Sequence, residues 1–148
     1  MEWIIYSPED IRDVAKWVHK ELCEYDKKNG AVVMALTGPL GAGKTLFVKE
    51  IGKLLGIEQD IISPTFILER IYKAKKSFEH IHHIDVYRLK DSSETKPLRL
   101  DETFKKDNTL VLIEWGEKIQ DILPKPHLEM KIEVKEGDTR LIHYEEKK

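Results

Sequence analysis

Apolar residues recur at three- and four-residue intervals from Ile11 through Val14, Ala15, Val18 and Leu22 to Tyr25. That spacing predicts an amphipathic helix, because side chains three and four apart lie on one helical face. Ser7-Pro8-Glu9-Asp10 marks its start, with Ser7 as N-cap, Pro8 at the first helical position and Asp10 facing back in a capping box, and Lys27-Lys28-Asn29-Gly30 ends it. WIIYS, just upstream, reads as a short strand. AVVMAL at 31–36 and LVLIE at 110–114 do not alternate, and a continuous apolar run is what a parallel strand buried on both faces requires. A second helix is predicted from about Lys44 to Leu55, closed by Gly56. Further on, FILERIYK, the polar turn KAKKS and FEHIHHID read as an antiparallel hairpin from Phe66, and HLEMKIEV with RLIHY as a final one turned at Glu136-Gly137-Asp138. Residues 90–108 are polar, contain Pro97 and predict short helix and loop. The pattern as a whole predicts an α/β fold around a sheet that is mostly parallel at its centre, with antiparallel hairpin additions.

Between the buried strand and the second helix stands GPLGAGKT, residues 38–45, which fills G-x-x-x-x-G-K-[ST] at Gly38, Gly43, Lys44 and Thr45. Glycines there let successive backbone N–H groups converge on phosphates, while the helix that follows points its positive end the same way. The expected nucleotide cradle is Gly38, Leu40, Gly41, Ala42, Gly43, Lys44, Thr45 and Leu46, with Lys44 reaching the β and γ phosphates and Thr45 Oγ coordinating Mg²⁺. This places the chain in a P-loop NTPase-like three-layer sandwich. No N-K-x-D guanine-reading motif occurs, so ATP is favoured over GTP.

Hydrolysis needs an acid at the tip of a neighbouring buried strand. Two candidates exist: Glu114, which closes LVLIE, and Asp85, which closes HIHHID. Thr65, in Ser63-Pro64-Thr65-Phe66, stands where a GTPase threonine closes on Mg²⁺ and the γ-phosphate, and an ordinary proline turn entering a strand is the other reading. His80, His82 and His83 suggest a metal, but alternation puts His80 and His82 on one face and His83 on the other, and no third ligand has suitable spacing. They read as a polar strand face. Trp115 packs against a partner, stacks on a base or fills the core.

Composition narrows the partners. The 148 residues make one domain, 1–148, and 41% hydrophobic with 35% charged content describes a soluble globular protein. A formal charge of −2 gives no overall basic field, so strong direct nucleic-acid binding is not expected. Cys23 stands alone, so it forms no internal disulfide and reads as structural in the first helix. Glu2, Glu9, Asp10, Arg12 and Asp13 occupy the place of a signal's apolar core and no 18-residue apolar run occurs, so no membrane association and a cytoplasmic location are expected.

GPLGAGKT, SPTF, HIDVYRL and LIEW, in that order and spacing over residues 38–115, closely resemble the TsaE family (older name YjeE) of small bacterial P-loop ATPases. The resemblance implies ATP and Mg²⁺ as cofactors and a role in making threonylcarbamoyladenosine in tRNAs that read codons beginning with A, alongside TsaD and TsaB. It also implies Thr45 and Glu114 as Mg²⁺ ligands, Lys44 as phosphate clamp, Thr65 as switch-like γ-phosphate sensor and Asp85 as the acid that positions or activates water. Arg140, in the last hairpin, resembles an arginine near the nucleotide. The chain departs from the family pattern at Pro39, at Gly116 and in lacking Thr-x-x-Leu-Gly in the early helix.

Two other functions compete. A small-molecule P-loop kinase needs an arginine lid, and the chain has only Arg12, Arg70, Arg88, Arg99 and Arg140, none clustered. A non-catalytic, ATP-dependent adaptor has no need of Thr45, Asp85 and Glu114 together.

Overall fold

The apolar run at 31–36 lies at the heart of the protein in a computed structural model that describes residues 1–148. It forms β2 (Val32–Thr37), buried at every position. The other strands are β1 (Glu2–Ile5), β3 (Glu69–Lys73), β4 (His80–Asp85), β5 (Thr109–Glu114), β6 (His127–Val134) and β7 (Arg140–Lys147). All seven join one sheet in the order β1-β7-β6-β2-β5-β4-β3. The middle pairs, β6-β2, β2-β5 and β5-β4, are parallel, and the edge pairs β3-β4, β6-β7 and β1-β7 are antiparallel. β5 is likewise buried throughout, as an unbroken apolar run demands.

The two faces of the sheet are covered unequally. Val32, Met34 and Leu36 pack beneath α1 (Ile11–Glu24) and α2 (Lys44–Leu54) in a core of 25 buried residues. Val33 and Ala35 face a core of only 10, roofed by the single turn of α3 (Leu100–Thr103) and by 3-10 stretches at Ser92–Leu98 and Gly116–Ile122. The expected three layers are present, and the third is thin because residues 90–108 supply no long amphipathic helix. No helix is long and apolar enough to cross a membrane.

α1 buries the predicted stripe of Ile11, Val14, Ala15, Val18 and Leu22. Its entry is a 3-10 turn at Pro8–Asp10, where the Asp10 carboxylate accepts from the N–H groups of Tyr6 and Ser7. The helix stops one residue before Tyr25, which turns extended so that its hydroxyl can donate to Glu146 on β7. Edge-to-face contacts of Trp17 with Trp3 and with Tyr144, at 5.1 and 5.5 Å, tie α1 to β1 and β7. Cys23 is exposed on α1, not buried in the core, and its Sγ lies 3.1 Å from Ser77 Oγ.

The third strand starts later than its sequence suggests. Phe66, Ile67 and Leu68 belong to a turn, not to β3, because the N–H groups of Ile67 and Leu68 both bond to Pro64 O and Leu68 takes a φ of +70°. That turn carries Thr65 back over the sheet. At the same end, register places Leu36 opposite Glu114 and Asp85 opposite Glu114, so the tips of β2, β5 and β4 open together into one crevice.

Candidate functional site

The loop between β2 and α2 bends through positive φ at Gly38, Gly41 and Gly43, at +144°, +78° and +116°. Gly38 has a second constraint: a Cβ there would meet Ile132 O on β6 at 2.5 Å. Gly38→Ala is therefore expected to cost about 1–3 kcal/mol of stability, read by chemical denaturation, and to distort the loop. Gly43 caps α2, leaving the first-turn N–H groups without intrahelical partners and aimed at the loop's concavity.

Lys44 is 5% exposed, and its Nζ donates to the carbonyls of Gly38, at 2.5 Å, and Pro39, at 3.0 Å. The ammonium also lies 4.0 Å from the centre of the Trp115 ring. Burial pushes the Lys44 pKa below the ordinary lysine value, against the opposing pull of Glu114, Glu117 and Asp85. A desolvated ammonium on weak carbonyl acceptors gains by meeting an anion. Trp115 has a left-handed backbone, φ +65°, and stacks obliquely on Tyr87, with ring centres 5.0 Å apart. Its ring thus roofs the lysine.

Both candidate acids are buried, and each is tied to a threonine. Glu114 accepts the Thr45 hydroxyl, which lies 2.8 Å from Oε1 and 3.1 Å from Oε2. Asp85 accepts the Thr65 hydroxyl on Oδ2 at 2.8 Å and the Tyr87 N–H on Oδ1 at 2.9 Å. These groups line a cleft of about 320 Å³ with Gly41–Leu46, Ser63 and Trp115. The Thr45 hydroxyl and Glu114 carboxylate are adjacent hard oxygen donors of the kind Mg²⁺ prefers. No group of three or more His, Cys, Asp or Glu side chains comes together as a metal site. A cation here would have to complete its shell with phosphate oxygens and water, the usual habit of Mg²⁺.

Arg140 sits across the loop from the acids. Its Nε donates to Ala42 O at 3.3 Å, and an η nitrogen donates to Gly137 O and Thr139 O at 2.9 and 3.1 Å. It braces the loop against the start of β7. Beside it a second cavity of about 180 Å³ has Ile5, Pro8, Ile11 and Leu46 as apolar walls and shares Gly41, Ala42 and Gly43 with the first. The phosphate loop is the ridge between a polar cleft and a mostly apolar hole.

One residue here escaped the sequence reading. His83 is 0% exposed and its Nε2 lies 2.5 Å from Glu114 Oε2. His80 and His82 share the opposite face of β4, His82 pairing through Nδ1 with Glu69 at 3.0 Å. The available signal was alternation, which puts His83 on the same face of β4 as Asp85.

A profile of the family described as "Threonylcarbamoyl adenosine biosynthesis protein TsaE" matches residues 5–142. The tRNA threonylcarbamoyladenosine biosynthesis protein TsaE of Mycobacterium bovis is 36% identical over 141 residues, covering 90% of this chain and 79% of the relative. The protein of the same name from Rickettsia prowazekii is 42% identical over 116 residues, 76% of this chain and 78% of its own. Among solved structures, Bacillus subtilis YdiB superposes with a TM-score of 0.75 at 29% identity, covering 97% of this chain and 83% of YdiB.

Proposed function

The chain belongs to the TsaE family and takes part in the biosynthesis of threonylcarbamoyladenosine in tRNA, and from the geometry of its cleft we propose that it does so as a slow, Mg²⁺-dependent ATPase. Its proposed partners are TsaD and TsaB. The observation that carries the proposal is the meeting, in one cleft, of the phosphate loop, the Thr45–Glu114 pair and the Thr65–Asp85 pair.

Each residue has a task in this reading. Lys44 exchanges the carbonyls of Gly38 and Pro39 for β and γ phosphate oxygens, which are stronger, charged acceptors. The Thr45 hydroxyl and Glu114 carboxylate hold the metal ion, which when bound neutralises charge on those oxygens. Asp85 accepts a hydrogen bond from the attacking water and aims it at the γ-phosphorus. The apolar hole walled by Ile5, Pro8, Ile11 and Leu46 takes the adenine. Arg140 keeps the loop in shape between base and phosphates.

The kinase alternative is disfavoured by where the arginines go. Arg12 pairs with Glu50, Arg99 with Glu102, Arg88 lies over Phe66, Arg140 is held by carbonyls, and none lines the polar cleft. The same deficit leaves Lys44 and the metal as the sole cations facing the charge that develops on the γ-phosphate, which would make turnover by the chain alone slow. Calorimetric titration with ATP and with GTP, each with Mg²⁺, tests the reading. Tight ATP binding and hydrolysis without any added alcohol are expected; failure to bind ATP, or turnover only with a phosphoryl acceptor, would overturn it.

Thr65 supplies a further prediction. Its hydroxyl is held by Asp85 and touches Ser63 Oγ at 2.7 Å, in a turn that has to close if it is to reach a bound nucleotide. Thr65→Ala is expected to leave ATP affinity within about threefold while ATP-dependent association with TsaD and TsaB weakens about tenfold or more, about 1.4 kcal/mol in binding terms. Surface plasmon resonance with ATP, ADP and no nucleotide reads both quantities.

A further inference from the structure

His83 occupies a place where an imidazole is costly. It lies on the β4 face that carries Ile81, with Leu112 of β5 opposite it in register, and both neighbours belong to the larger apolar core. It has no exposure at all, and its Nδ1 has no hydrogen-bond partner. A leucine, methionine or phenylalanine there would fill the space without stranding a polar atom, whose burial without a partner is unfavourable. The one compensation is the bond from Nε2 to Glu114 Oε2. Because a carboxylate only accepts, Nε2–H is the donor of that bond, and Nδ1 is the atom left without a partner.

Glu114 needs that bond. Its only other side-chain partner is the Thr45 hydroxyl, and under the function proposed above Thr45 is itself a metal ligand. A carboxylate at a strand tip tied only to a second ligand has no fixed reference in the fold. His83 supplies one, since its ring is locked in the core and its backbone sits in the β4-β5 ladder.

We infer that His83 is the positioning residue of this cleft, its Nε2–H holding the Glu114 carboxylate in the orientation that accepts a divalent cation beside Thr45. Partners of this kind typically govern metal affinity by about 10- to 100-fold. The inference rests on the Mg²⁺-nucleotide reading of the site, and the experiment separates the two. ATP affinity is measured by calorimetry for the unaltered chain, His83→Phe and His83→Gln, each across a Mg²⁺ titration and in EDTA, with melting temperatures recorded beside it.

His83→Phe is expected to raise the Mg²⁺ concentration for half-maximal tightening of ATP by about tenfold or more, with the affinity in EDTA unchanged. Its melting temperature is expected to change little, because the stranded nitrogen goes together with one of the hydrogen bonds to Glu114. Gln places an amide N–H near the position of Nε2 and is expected to restore most of the metal dependence. His83→Met repeats the test should the phenylalanine ring prove too large to fold around. An unshifted Mg²⁺ dependence in the apolar variants would overturn the inference, as would a parallel fall in affinity with and without metal, the mark of a merely structural residue. Should Mg²⁺ fail to tighten ATP binding by the unaltered chain, the reading of the site falls first and the inference with it.

Discussion

Lys44→Ala is expected to abolish ATP hydrolysis and to weaken ATP binding by about 100-fold or more. The side chain holds the one cation that lines the polar cleft, and burial already disfavours its charged form. Hydrogen bonds to charged groups contribute about 1.5–3 kcal/mol each, so losing two phosphate contacts amounts to several tenfold steps in affinity. Truncation also frees the carbonyls of Gly38 and Pro39 and removes the cation beneath Trp115, which could loosen the loop for reasons unrelated to charge. Lys44→Met keeps the stem and is expected to behave like the alanine variant. Calorimetry reads binding, and phosphate release reads turnover; ATP affinity unchanged in both variants would mean that the loop is not used for nucleotide.

The second large effect separates the two acids. Glu114→Gln keeps the shape of the β5 tip and an acceptor for Thr45, but loses the carboxylate charge beside the proposed metal position. Hydrolysis should fall by more than about tenfold, nucleotide binding should survive, and the Mg²⁺ requirement should rise. Asp85→Asn should slow hydrolysis comparably without moving the Mg²⁺ requirement, because Asp85 bonds Thr65 and the Tyr87 amide and has no contact with Thr45. A Mg²⁺ requirement that moves with Asp85→Asn and stays put with Glu114→Gln would reverse the two assignments.

Glu114 could be singled out because it closes an apolar strand and Asp85 because it ends HIHHID, and the glycine loop before α2 could be read because its pattern is written in consecutive residues. The sheet's buried centre could be read for the same reason: β2 and β5 carry no polar residue before their last position except Thr109. What the chain concealed depends on neighbours distant in sequence. That His83 meets Glu114 follows from β4 lying beside β5 in parallel register, which no single-strand pattern contains. The late start of β3 was hidden because Phe66-Ile67-Leu68 has the composition of a strand, and only bonds to Pro64 O and a left-handed Leu68 make it a turn. Tyr25 fitted the helical stripe, yet its hydroxyl is drawn out to Glu146 on a strand 121 residues away. Arg140 was placed near the loop by resemblance alone; its bond to Ala42 O spans 98 residues of chain.

The central claim is that this cleft hydrolyses ATP with Mg²⁺ and that the assembly governs its speed. Phosphate release from ATP, measured for the purified chain alone and with TsaD and TsaB, each with Mg²⁺ and with EDTA, tests it most directly. An arginine supplied by a partner can accelerate phosphoryl transfer by about 10³ to 10⁵, and ordering of the Thr65 turn would act in the same direction. Slow turnover by the chain, at least about tenfold faster with the partners and extinguished by EDTA, is the predicted result. Turnover that is indifferent to both EDTA and the partners, or no turnover under any of the four conditions, would contradict the account.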